Sequence, residues 1–571
     1  MKSNWVVGIF DGTHDAGAAI LHNGEVIAAC NEERYNRQKG AGGWPQKAIE
    51  YCLSHLPSDQ VPTVAFAGSV NPNPILRFWR NKQKGWRLDE GKFYPKSGSI
   101  SGQLGEWVQS RSPFPYLETN NRITQGYLPL IRRHLMSEFQ HNHGIKIDRP
   151  DIFDHHLCHA SAGHFTSGQR RSLVVVADGV GDGLTTSIWR GDGTRMRAMA
   201  KQKFPHSYGL FFATLTAFLG YKPFRHEGKL TGMAALGDPN KIPFKIPVTG
   251  HLMSQEFQVN IGTEMRRWLS PLKDYSPEDI SAWLQDGVIR HYHALLKWWI
   301  NQLSAEHVVL VGGVFANVEL NRRLLDTGAQ NYYVFPHMGD GGLAVGAAML
   351  HHYKNNEWKP RAFASLYLGD DIDNTDALDS INRHNFRILT QDTPEKNLAE
   401  ALSKGKIVAR CVGRMEYGPR ALGNRSILAE ATGLDITNEL NRRLERSDCM
   451  PFAPIMLEDD IDEWVEAREG TQNCTPWMTI NLKAKPCLIE KCPAIVHKDG
   501  TLRPQLISQS KTPALHMLLR HYRSLTGVPA LINTSLNIHE EPIVRSAEEA
   551  IMAAKRAKIS ILQVGKYSIS L

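Results

Sequence analysis

Two histidines four residues apart are the side chains of this chain best suited to hold a metal ion. His155 and His159 lie in the segment Asp154-His-His-Leu-Cys-His-Ala160, and residues at positions i and i+4 share one face of an α-helix. His156 falls off that face and is expected to pack or form hydrogen bonds. Asp340, in a glycine-rich turn after a strand-like run, is the predicted third ligand. Two histidines and a carboxylate with open positions favour Fe(II), with Mn(II) and Zn(II) as alternatives. The competing interpretation is an ordinary pair of core histidines.

Three glycine-rich turns have the composition of a nucleotide site. Glycine lets backbone N–H groups approach phosphate oxygens, and aspartate can hold a metal-bound water or a substrate hydroxyl. The turns are Asp11-Gly-Thr-His-Asp15, Asp178-Gly-Val-Gly-Asp-Gly183 and Gly312-Gly-Val-Phe-Ala-Asn317. Each alone is typical of a hairpin, whereas the three in this order favour ATP with Mg²⁺. The predicted nucleotide ligands are Gly12, Asp178, Gly179, Gly181, Gly183, Gly312, Gly313 and Asn317.

The first two turns occupy equivalent places in a repeated pattern of strands. The predicted strands around them are Val6–Phe10, Ala16–Leu21, Glu25–Cys30, Leu173–Ala177 and Leu184–Trp189. Asn-Gly and Asp-Gly between apolar runs are strong hairpin signals. The pattern predicts a duplicated α/β domain whose halves face each other, and it resembles the ATPase fold of actin, hexokinase and the heat-shock chaperones. That fold hosts kinases, chaperones and transferases, so it does not fix the reaction.

Bulk composition limits the class of protein. The chain has 571 residues and a net charge of +8, which predicts two domains and no dense basic surface for nucleic acid. We place the boundary near residue 358, in the polar segment Tyr353–Arg361. There is no signal-peptide pattern and no apolar run long enough to span a membrane. Eight cysteines without paired C-x-x-C spacing indicate reduced thiols, so a cytoplasmic location is expected.

Several ordered motifs resemble one enzyme family. The metal and glycine motifs resemble the universal transferase that makes threonylcarbamoyladenosine in tRNA. A longer match is to the O-carbamoyltransferases of the NodU/CmcH/TobZ type. The stretches that carry it are His14–Ala19, Asn31–Lys39, Gly228–Ala234, Gly413–Ser426, Pro451–Pro454, Arg503–Gln505, Leu531–Asn537 and Glu541–Val544. They cover essentially the whole chain.

The resemblance implies a two-step enzyme. Residues 1–358 would form an actin-like ATPase domain that carries the metal, and residues 359–571 a domain similar to the YrdC fold. The second domain would convert carbamoyl phosphate and ATP to carbamoyl-adenylate. The first domain would then transfer the carbamoyl group to a hydroxyl of a small acceptor. A homodimer is one assembly that we consider for the chain.

The resemblance also implies roles for individual residues. His14 would act as general base or bind phosphate beside Asp15, and Lys229 would neutralise the leaving adenylate. Arg420 and Arg425 would bind the carbamoyl phosphate dianion, because planar guanidinium groups offer bidentate donors. The full predicted carbamoyl phosphate set is Arg420, Arg425, Arg446, Met478, Arg503, Asn533, Thr534, Ser535 and Asn537. A structural role for the two loop arginines, pairing with local carboxylates, is the competing interpretation.

The chain also departs from the family pattern, and other functions compete. Leu444 and Met450 stand where family members carry Lys and Arg, so two cationic side chains are missing near the expected anion pocket. A sugar kinase would explain the glycine turns, a tRNA-modifying enzyme would explain the metal motif, and a non-catalytic nucleotide sensor is the third alternative. The insertion Ile75–Arg122 is rich in Trp, Phe, Tyr and Arg, which favours a saccharide acceptor. Ordinary packing of those aromatic residues explains it equally well.

Overall fold

The front part of the chain begins with a mixed five-stranded sheet. The computed structural model describes residues 4–69, 122–204, 206–246, 269–357, 359, 361–445, 452–466 and 468–571. The strands are β1 (Trp5–Phe10), β2 (Gly17–His22), β3 (Glu25–Asn31), β4 (Thr63–Ala67) and β5 (Asp151–Phe153), in the order β3-β2-β1-β4-β5. Along β1, Val7 and Ile9 pack in one core cluster and Val6 and Phe10 in another. Successive side chains point to opposite faces, so this sheet is buried on both sides.

A second five-stranded sheet repeats the first. Its strands are β6 (Arg171–Gly181), β7 (Leu184–Asp192), β8 (Arg195–Lys203), β9 (His307–Val311) and β10 (Asn331–Val334). The order is β8-β7-β6-β9-β10, with β7 antiparallel to β6 and β8, and β9 parallel to β6 and β10. The first sheet has the same order and the same strand directions. The predicted internal duplication is therefore confirmed.

Nine helices accompany these sheets within the described part of residues 4–357. They are α1 (Glu33–Asn36), α2 (Gln46–Leu53), α3 (Arg122–His143), α4 (His155–Thr166), α5 (Tyr208–Phe218), α6 (Glu227–Met233), α7 (Pro277–Leu303), α8 (Val318–Leu324) and α9 (Leu343–Tyr353). Helices α4 and α9 follow the last strand of each sheet and pack on each other. A Cβ atom added to Gly346 would lie 2.0 Å from the carbonyl oxygen of Cys158, so the two helix backbones touch there.

The rear part of the chain is built on a larger mixed sheet. Its eight strands, in spatial order, are β11 (Arg387–Thr390), β21 (Tyr567–Ser570), β20 (Ile561–Val564), β12 (Val408–Cys411), β13 (Arg425–Glu430), β19 (Ala530–Ser535), β14 (Ala453–Leu457) and β18 (Gln505–Ile507). A small sheet contains β15 (Val465–Glu466), β16 (Leu482–Ala484) and β17 (Thr501–Leu502). The helices are α10 (Asn374–Arg383), α11 (Pro394–Ser403), α12 (Asp435–Arg443), α13 (Ile461–Trp464), α14 (Pro486–Lys491), α15 (Pro513–Thr526) and α16 (Ala547–Arg556).

One predicted turn is partly strand. Strand β6 continues through Gly181, with a register irregularity between Ala177 and Gly181, and only Asp182 and Gly183 form the turn. Their φ angles are 47° and 78°, the left-handed region that a tight hairpin requires. The irregularity at the end of β6 displays the Asp178 side chain. None of the described helices combines the length and the apolar character that a membrane span requires.

Candidate active site

The first turn of α4 is fixed by two carboxylates, the half-buried Asp154 and the buried Asp182. The Asp154 side chain caps the helix by accepting the N–H of Leu157 at 2.9 Å. The Asp182 carboxylate accepts the N–H of His155 at 2.9 Å and that of Ser69 at 2.9 Å. Carboxylates at a helix N-terminus satisfy donors that have no partner within the helix. His155 and the residue one turn later, His159, are thereby held on one buried face.

Four side chains converge opposite that face. His155 Nε2 lies 3.4 Å from Asp178 Oδ2 and 3.3 Å from Asp340 Oδ1. His159 Nε2 lies 3.4 Å from the same Asp340 oxygen and 3.9 Å from Asp178 Oδ2. One ligand atom from each of the four residues lies within 4.8 Å of the others. The predicted trio of His155, His159 and Asp340 thus meets at one place.

Asp178 is a member of this cluster that the sequence assigned only to the nucleotide. Its other oxygen, Oδ1, accepts the N–H of Gly313 at 3.1 Å. The residue therefore connects the metal cluster to the third glycine turn. The sequence did contain a signal for this role. Asp178 follows a predicted buried strand and precedes Gly179, which has no side chain to cover the carboxylate.

The cluster fits a divalent metal ion. His155 Nδ1 and Nε2 and His159 Nε2 are buried and have no hydrogen-bond partner, and an orphaned buried nitrogen is costly unless something binds it. Burial alone would lower the pKa of His155, but the Asp340 and Asp178 carboxylates raise it well above its ordinary value. The two carboxylates thus favour a positive charge at this position, whether it is a proton on His155 or a metal ion. Two imidazole and two carboxylate ligands suit Fe(II), Mn(II) or Zn(II).

Two predicted nucleotide glycines make room for His155 and its surroundings. A Cβ atom added to Gly181 would lie 2.2 Å from the His155 ring. A Cβ atom added to Gly12 would lie 2.2 Å from the Phe10 ring, which meets His155 edge-on at 5.9 Å between ring centroids. Glycine at these positions allows the imidazole and the phenyl ring to pack under the loops.

His14 lies at the edge of the same cluster. Its Nδ1 is 3.0 Å from Asp15 Oδ2, and its Nε2 is 3.7 Å from Asp340 Oδ2. Burial opposes protonation, but the hydrogen bond to Asp15 and the Asp340 charge raise the pKa of His14 to about 9. Asp15 orients the ring, which leaves Nε2 directed towards the metal cluster.

The third glycine turn packs directly on the second. Gly312 has a φ of 105°, and a Cβ atom there would lie 2.2 Å from the carbonyl oxygen of Ala177. Asn317, a predicted nucleotide ligand, instead caps α8 by accepting the N–H of Leu320 at 3.0 Å. Its amide group also exchanges two hydrogen bonds with Gln285. The Asn317 side chain is therefore committed to the fold.

His156 has the role that its position predicted. Its Nδ1 lies 2.8 Å from the Ser187 hydroxyl, and its Nε2 lies 3.1 Å from the carbonyl oxygen of Leu184. Both ring nitrogens are thus occupied away from the metal cluster.

The rear part of the chain presents one cation on a tightly folded loop. The buried Glu416 carboxylate accepts the N–H groups of Leu422, Asn424 and Arg425, at 2.8, 2.9 and 3.1 Å. Arg420 lies inside this loop, half-buried, and the described residues offer its guanidinium no hydrogen bond or carboxylate. Burial lowers the pKa of Arg420, yet an arginine stays charged in proteins. A desolvated, unpaired cation of this kind is suited to an anionic ligand.

Arg425 has the opposite character. Its five guanidinium N–H groups reach the carbonyl oxygens of Arg545, Val412, Asn424, Asp370 and Gly413, at 2.7–3.3 Å. The side chain is fully buried. No donor is left for a substrate, so the structure gives this predicted carbamoyl phosphate ligand a structural role. The competing interpretation of a pairing arginine applies to Arg425, with carbonyl oxygens in place of carboxylates.

The remaining predicted carbamoyl phosphate residues are distributed differently. Asn533 and Asn537 are buried, and their Oδ1 atoms have no hydrogen-bond partner, so both retain acceptors for an amide. Thr534 and Ser535 follow Asn533 on β19. Met478 is buried in the apolar cluster shared by the front and rear parts, which favours a packing role. The other two members of the predicted set are Arg503, which lies between β17 and β18, and Arg446, which lies outside the described residues.

A motif noted only as part of a resemblance joins the two parts of the chain. Arg34 Nη2 donates to the carbonyl oxygen of Gly418 at 2.8 Å. Arg37 donates to the carbonyl oxygens of Ile543 and Pro542 at 2.8 and 2.7 Å. Arginines that bind backbone carbonyls across an interface fix the relative position of both sides. Sequence reasoning attached no role to these two residues.

A second group of histidines and a carboxylate also spans the interface. His226 Nε2 and His539 Nε2 lie 2.9 and 3.4 Å from Glu540 Oε1, and Lys222 and Arg225 approach Oε2 at 3.3 and 3.6 Å. The N–H of Lys222 donates to His226 Nδ1, so the ring proton is on Nε2 and faces the carboxylate. These contacts lower the pKa of Glu540 to about 2. The group is an ion-pair network, and its fixed tautomer disfavours a metal.

Lys229 belongs to the basic surroundings of Glu540. It lies on α6, and its ammonium group is 5.2 Å from the centroid of the Tyr221 ring. Burial lowers the pKa of His226 and the Lys229 charge lowers it further, whereas the hydrogen bond to Glu540 opposes both effects. Lys229 therefore lies near the interface between the two parts of the chain. Its contact with an adenylate stays a prediction.

Sequence comparisons give the family. The family model described as "Carbamoyltransferase N-terminus" matches residues 116–349, and "Carbamoyltransferase C-terminus" matches residues 399–570. Nodulation protein U of Rhizobium fredii is 33% identical over 577 residues, which cover 94% of this chain and 90% of that protein. The chain belongs to the NodU-type carbamoyltransferase family. Nodulation protein NolNO of Sinorhizobium fredii strain NGR234 is 30% identical over 583 residues, which cover 97% of this carbamoyltransferase and 79% of that protein.

Membership settles the general reaction of this carbamoyltransferase. The protein is an enzyme that transfers a carbamoyl group. An uncharacterized protein of Methanocaldococcus jannaschii, MJ1051, is also similar, at 28% identity over 99% of both chains. These relatives match nearly the full length of the chain, in agreement with the resemblance that the ordered sequence motifs indicated.

Proposed function

We propose that this carbamoyltransferase makes carbamoyl-adenylate in its rear domain and uses it in its front domain. Carbamoyl phosphate would first be hydrolysed to carbamate and phosphate. Carbamate would then attack the α-phosphorus of ATP to give carbamoyl-adenylate and pyrophosphate. An acceptor hydroxyl would finally take the carbamoyl group, with release of AMP and a proton. We assign residues 1–358, with an actin-like ATPase fold, to transfer and residues 359–571, with a YrdC-like fold, to activation.

The buried cluster of His155, His159, Asp178 and Asp340 carries this proposal. It lies at the ends of the two duplicated sheets, where the glycine turns meet. When a divalent ion is bound there, it would act as a Lewis acid towards the carbamoyl or phosphoryl oxygens. Fe(II) is our choice for that ion, with ATP and Mg²⁺ as the co-substrate.

The chain's own residues would perform the remaining tasks in the front domain. Gly12, Gly179, Gly183 and Gly313 keep side chains away from the nucleotide. His14 is held by Asp15 through Nδ1 at 3.0 Å, so Nε2 is the atom directed at the site. Its raised pKa keeps the ring protonated near neutral pH, and in that form Nε2 would donate to the phosphate. Nε2 would take the proton of the acceptor hydroxyl once a cation bound at Asp340 had lowered that pKa. An imidazole oriented by a carboxylate is the usual arrangement for that task.

In the rear domain, Arg420 would bind the phosphate of carbamoyl phosphate. Its guanidinium is available, and a charge-assisted contact to a dianion is strong. Asn533 and Asn537, each with an unpaired carbonyl oxygen, would accept N–H groups of the carbamoyl amide. Thr534 and Ser535 would add hydroxyl donors. With Arg425 committed to the fold, Arg420 is the main cation of this proposed pocket.

The acceptor is proposed to be a hydroxyl-bearing small molecule, with a saccharide as the first class to test. The aromatic insertion Ile75–Arg122 motivates that choice, and its residues 75–121 lie outside the described part of the chain. A cytoplasmic location is part of the same proposal.

Incubation of the full-length protein with ATP and carbamoyl phosphate tests the scheme. The expected products are pyrophosphate and an AMP-linked carbamate, identified by mass spectrometry. Asp178→Asn should keep this activity and lose transfer to an acceptor, whereas Arg420→Gln should lose both. Release of ADP with a phosphorylated sugar, and no pyrophosphate, would instead establish a kinase. A saccharide panel analysed for the gain of one carbamoyl unit tests the acceptor class.

A further inference from the structure

Side chains from both domains converge on one carbonyl oxygen beside the metal cluster. The carbonyl belongs to Gly341, the residue after Asp340. The Tyr417 hydroxyl of the rear domain donates to it at 2.7 Å. From the front domain, Asn31 Nδ2 approaches the same oxygen at 3.4 Å, and Asn31 Oδ1 accepts from His337 Nε2 at 2.8 Å. We call Asn31, His337 and Tyr417 the Gly341 relay.

The relay is buried and closely packed. Asn31, His337 and Tyr417 are 7%, 9% and 2% exposed. Because water has little access to these side chains, their polar groups depend on hydrogen bonds to one another and to the Gly341 peptide. The Tyr417 and His337 rings meet edge-on at 4.7 Å between centroids. A Cβ atom added to Gly341 would lie 2.2 Å from the His337 ring. The peptide next to Asp340 is therefore held on two sides, and a shift of Tyr417 must move it.

The other end of the relay is the loop that presents Arg420. Tyr417 directly follows Glu416, whose carboxylate folds the loop through three backbone N–H groups. The carbonyl oxygen of Gly418 accepts a hydrogen bond from Arg34 of the front domain at 2.8 Å. Arg420 is three residues beyond Tyr417. One tightly folded loop thus touches the metal-site peptide and displays the free cation.

We propose that Tyr417 is a positioning residue that couples anion binding at Arg420 to metal binding at Asp340. An anion at Arg420 would order the loop, the Tyr417 hydroxyl would fix the Gly341 peptide, and Asp340 would be held in place for the ion. Coupling of this kind is reciprocal, so the metal would also tighten the anion site. The inference rests on the proposed function in one respect, the assignment of the anion to Arg420.

Metal binding without nucleotide or turnover tests this role. The dissociation constant of Mn²⁺ is measured for the full-length protein by electron paramagnetic resonance of the free ion, with and without inorganic phosphate. Tyr417→Phe keeps the ring and removes only the hydroxyl. One buried hydrogen bond corresponds to about a 2- to 12-fold change, so Mn²⁺ should bind Tyr417→Phe more weakly by that factor. In the wild type, phosphate should tighten Mn²⁺ binding, and in Tyr417→Phe this effect should disappear.

Tyr367→Phe is the matched control. The Tyr367 hydroxyl also donates to a carbonyl oxygen, that of Leu422, at 2.8 Å, but it does not contact the metal-site peptide. Because Leu422 belongs to the loop that presents Arg420, this variant is the control for the Mn²⁺ affinity measured without phosphate, which should equal that of the wild type. If Tyr417→Phe fails to fold, Asn31→Ser is measured in the same way. It removes the other contact to Gly341 together with the hydrogen bond from Asn31 Nδ2 to the carbonyl oxygen of Asp15 at 3.1 Å.

Two results would overturn the proposal. One is an Mn²⁺ affinity of Tyr417→Phe equal to that of the wild type. The other is a phosphate effect that is absent from the wild type or survives in Tyr417→Phe. Failure of the proposed function looks different, because the pyrophosphate assay would then be negative while the Mn²⁺ measurements still separate Tyr417→Phe from Tyr367→Phe.

Discussion

Arg420 lies on the loop before β13 and Arg425 is the first residue of that strand. Replacing each with glutamine is expected to damage different properties. All five N–H groups of Arg425 bind buried carbonyl oxygens, and a glutamine amide can replace two of them. A buried acceptor left unpaired costs about 1–3 kcal/mol. With three such acceptors and partial relaxation, Arg425→Gln should lower the free energy of unfolding by about 4 kcal/mol.

Arg420→Gln should leave the fold nearly intact. The described residues give its guanidinium no partner, so the change in the free energy of unfolding should stay below about 1 kcal/mol. The loss should appear in anion binding, because a hydrogen bond to a charged group contributes about 1.5–3 kcal/mol. The dissociation constant for carbamoyl phosphate should therefore rise by about 10- to 160-fold.

Urea unfolding and isothermal titration calorimetry measure the two quantities on the same samples. Arg420→Lys serves as a further comparison, because it keeps the charge and loses the planar pair of donors. It should bind the anion with intermediate affinity. The reasoning is refuted if Arg420→Gln binds carbamoyl phosphate as tightly as the wild type, or unfolds as readily as Arg425→Gln.

Three further changes test the site and the fold. Gly181→Ala places a Cβ atom 2.2 Å from the His155 ring and should weaken Mn²⁺ binding by at least about 10-fold, whereas Gly179→Ala, with 3.8 Å to its neighbour, should not. Asp178→Asn should reduce the Mn²⁺ affinity by about 10- to 100-fold, as titration of the free ion would show. Burial raises the pKa of Glu32 from 4.5 to about 7, so its contribution to stability is fully present below about pH 4.5 and is lost as the pH rises through 7. Glu32→Gln should therefore gain up to about 3 kcal/mol relative to the wild type between pH 5 and pH 8 in urea unfolding, and equal differences at both pH values would contradict this.

The duplicated sheets and the metal trio were accessible from sequence because both depend on local patterns. Strand β1 covers Trp5–Phe10 and so contains the predicted Val6–Phe10, since an apolar run before a turn is a short-range signal. His155 and His159 share a face because helix geometry fixes the spacing of residues four apart. Asp340 was found because glycine-rich turns after strands display carboxylates.

Other roles depended on partners distant in sequence. Nothing near Arg425 reveals that five carbonyl oxygens will surround it, two of them from residues 370 and 545. Asn317 ends a glycine turn that predicts a nucleotide ligand. Its side chain instead caps α8 and binds Gln285 on α7. The place of Asp178 in the cluster with His155 and His159 depends on the tertiary structure, because β6 positions it opposite α4. Long-range pairing of this kind has no signature in a single sequence.

The backbone contact between α4 and α9 has a consequence for how the enzyme moves. The hydroxyl of Ser161 on α4 donates to the carbonyl oxygen of Gly346 on α9 at 2.8 Å, within two residues of His159 on one side and six of Asp340 on the other. Two helices that touch without intervening side chains cannot slide or separate without breaking that contact. A movement of the two duplicated halves that keeps this contact must therefore pivot about the crossing. Such a movement would keep His155, His159 and Asp340 together, because the two histidines lie on α4 and Asp340 directly precedes α9.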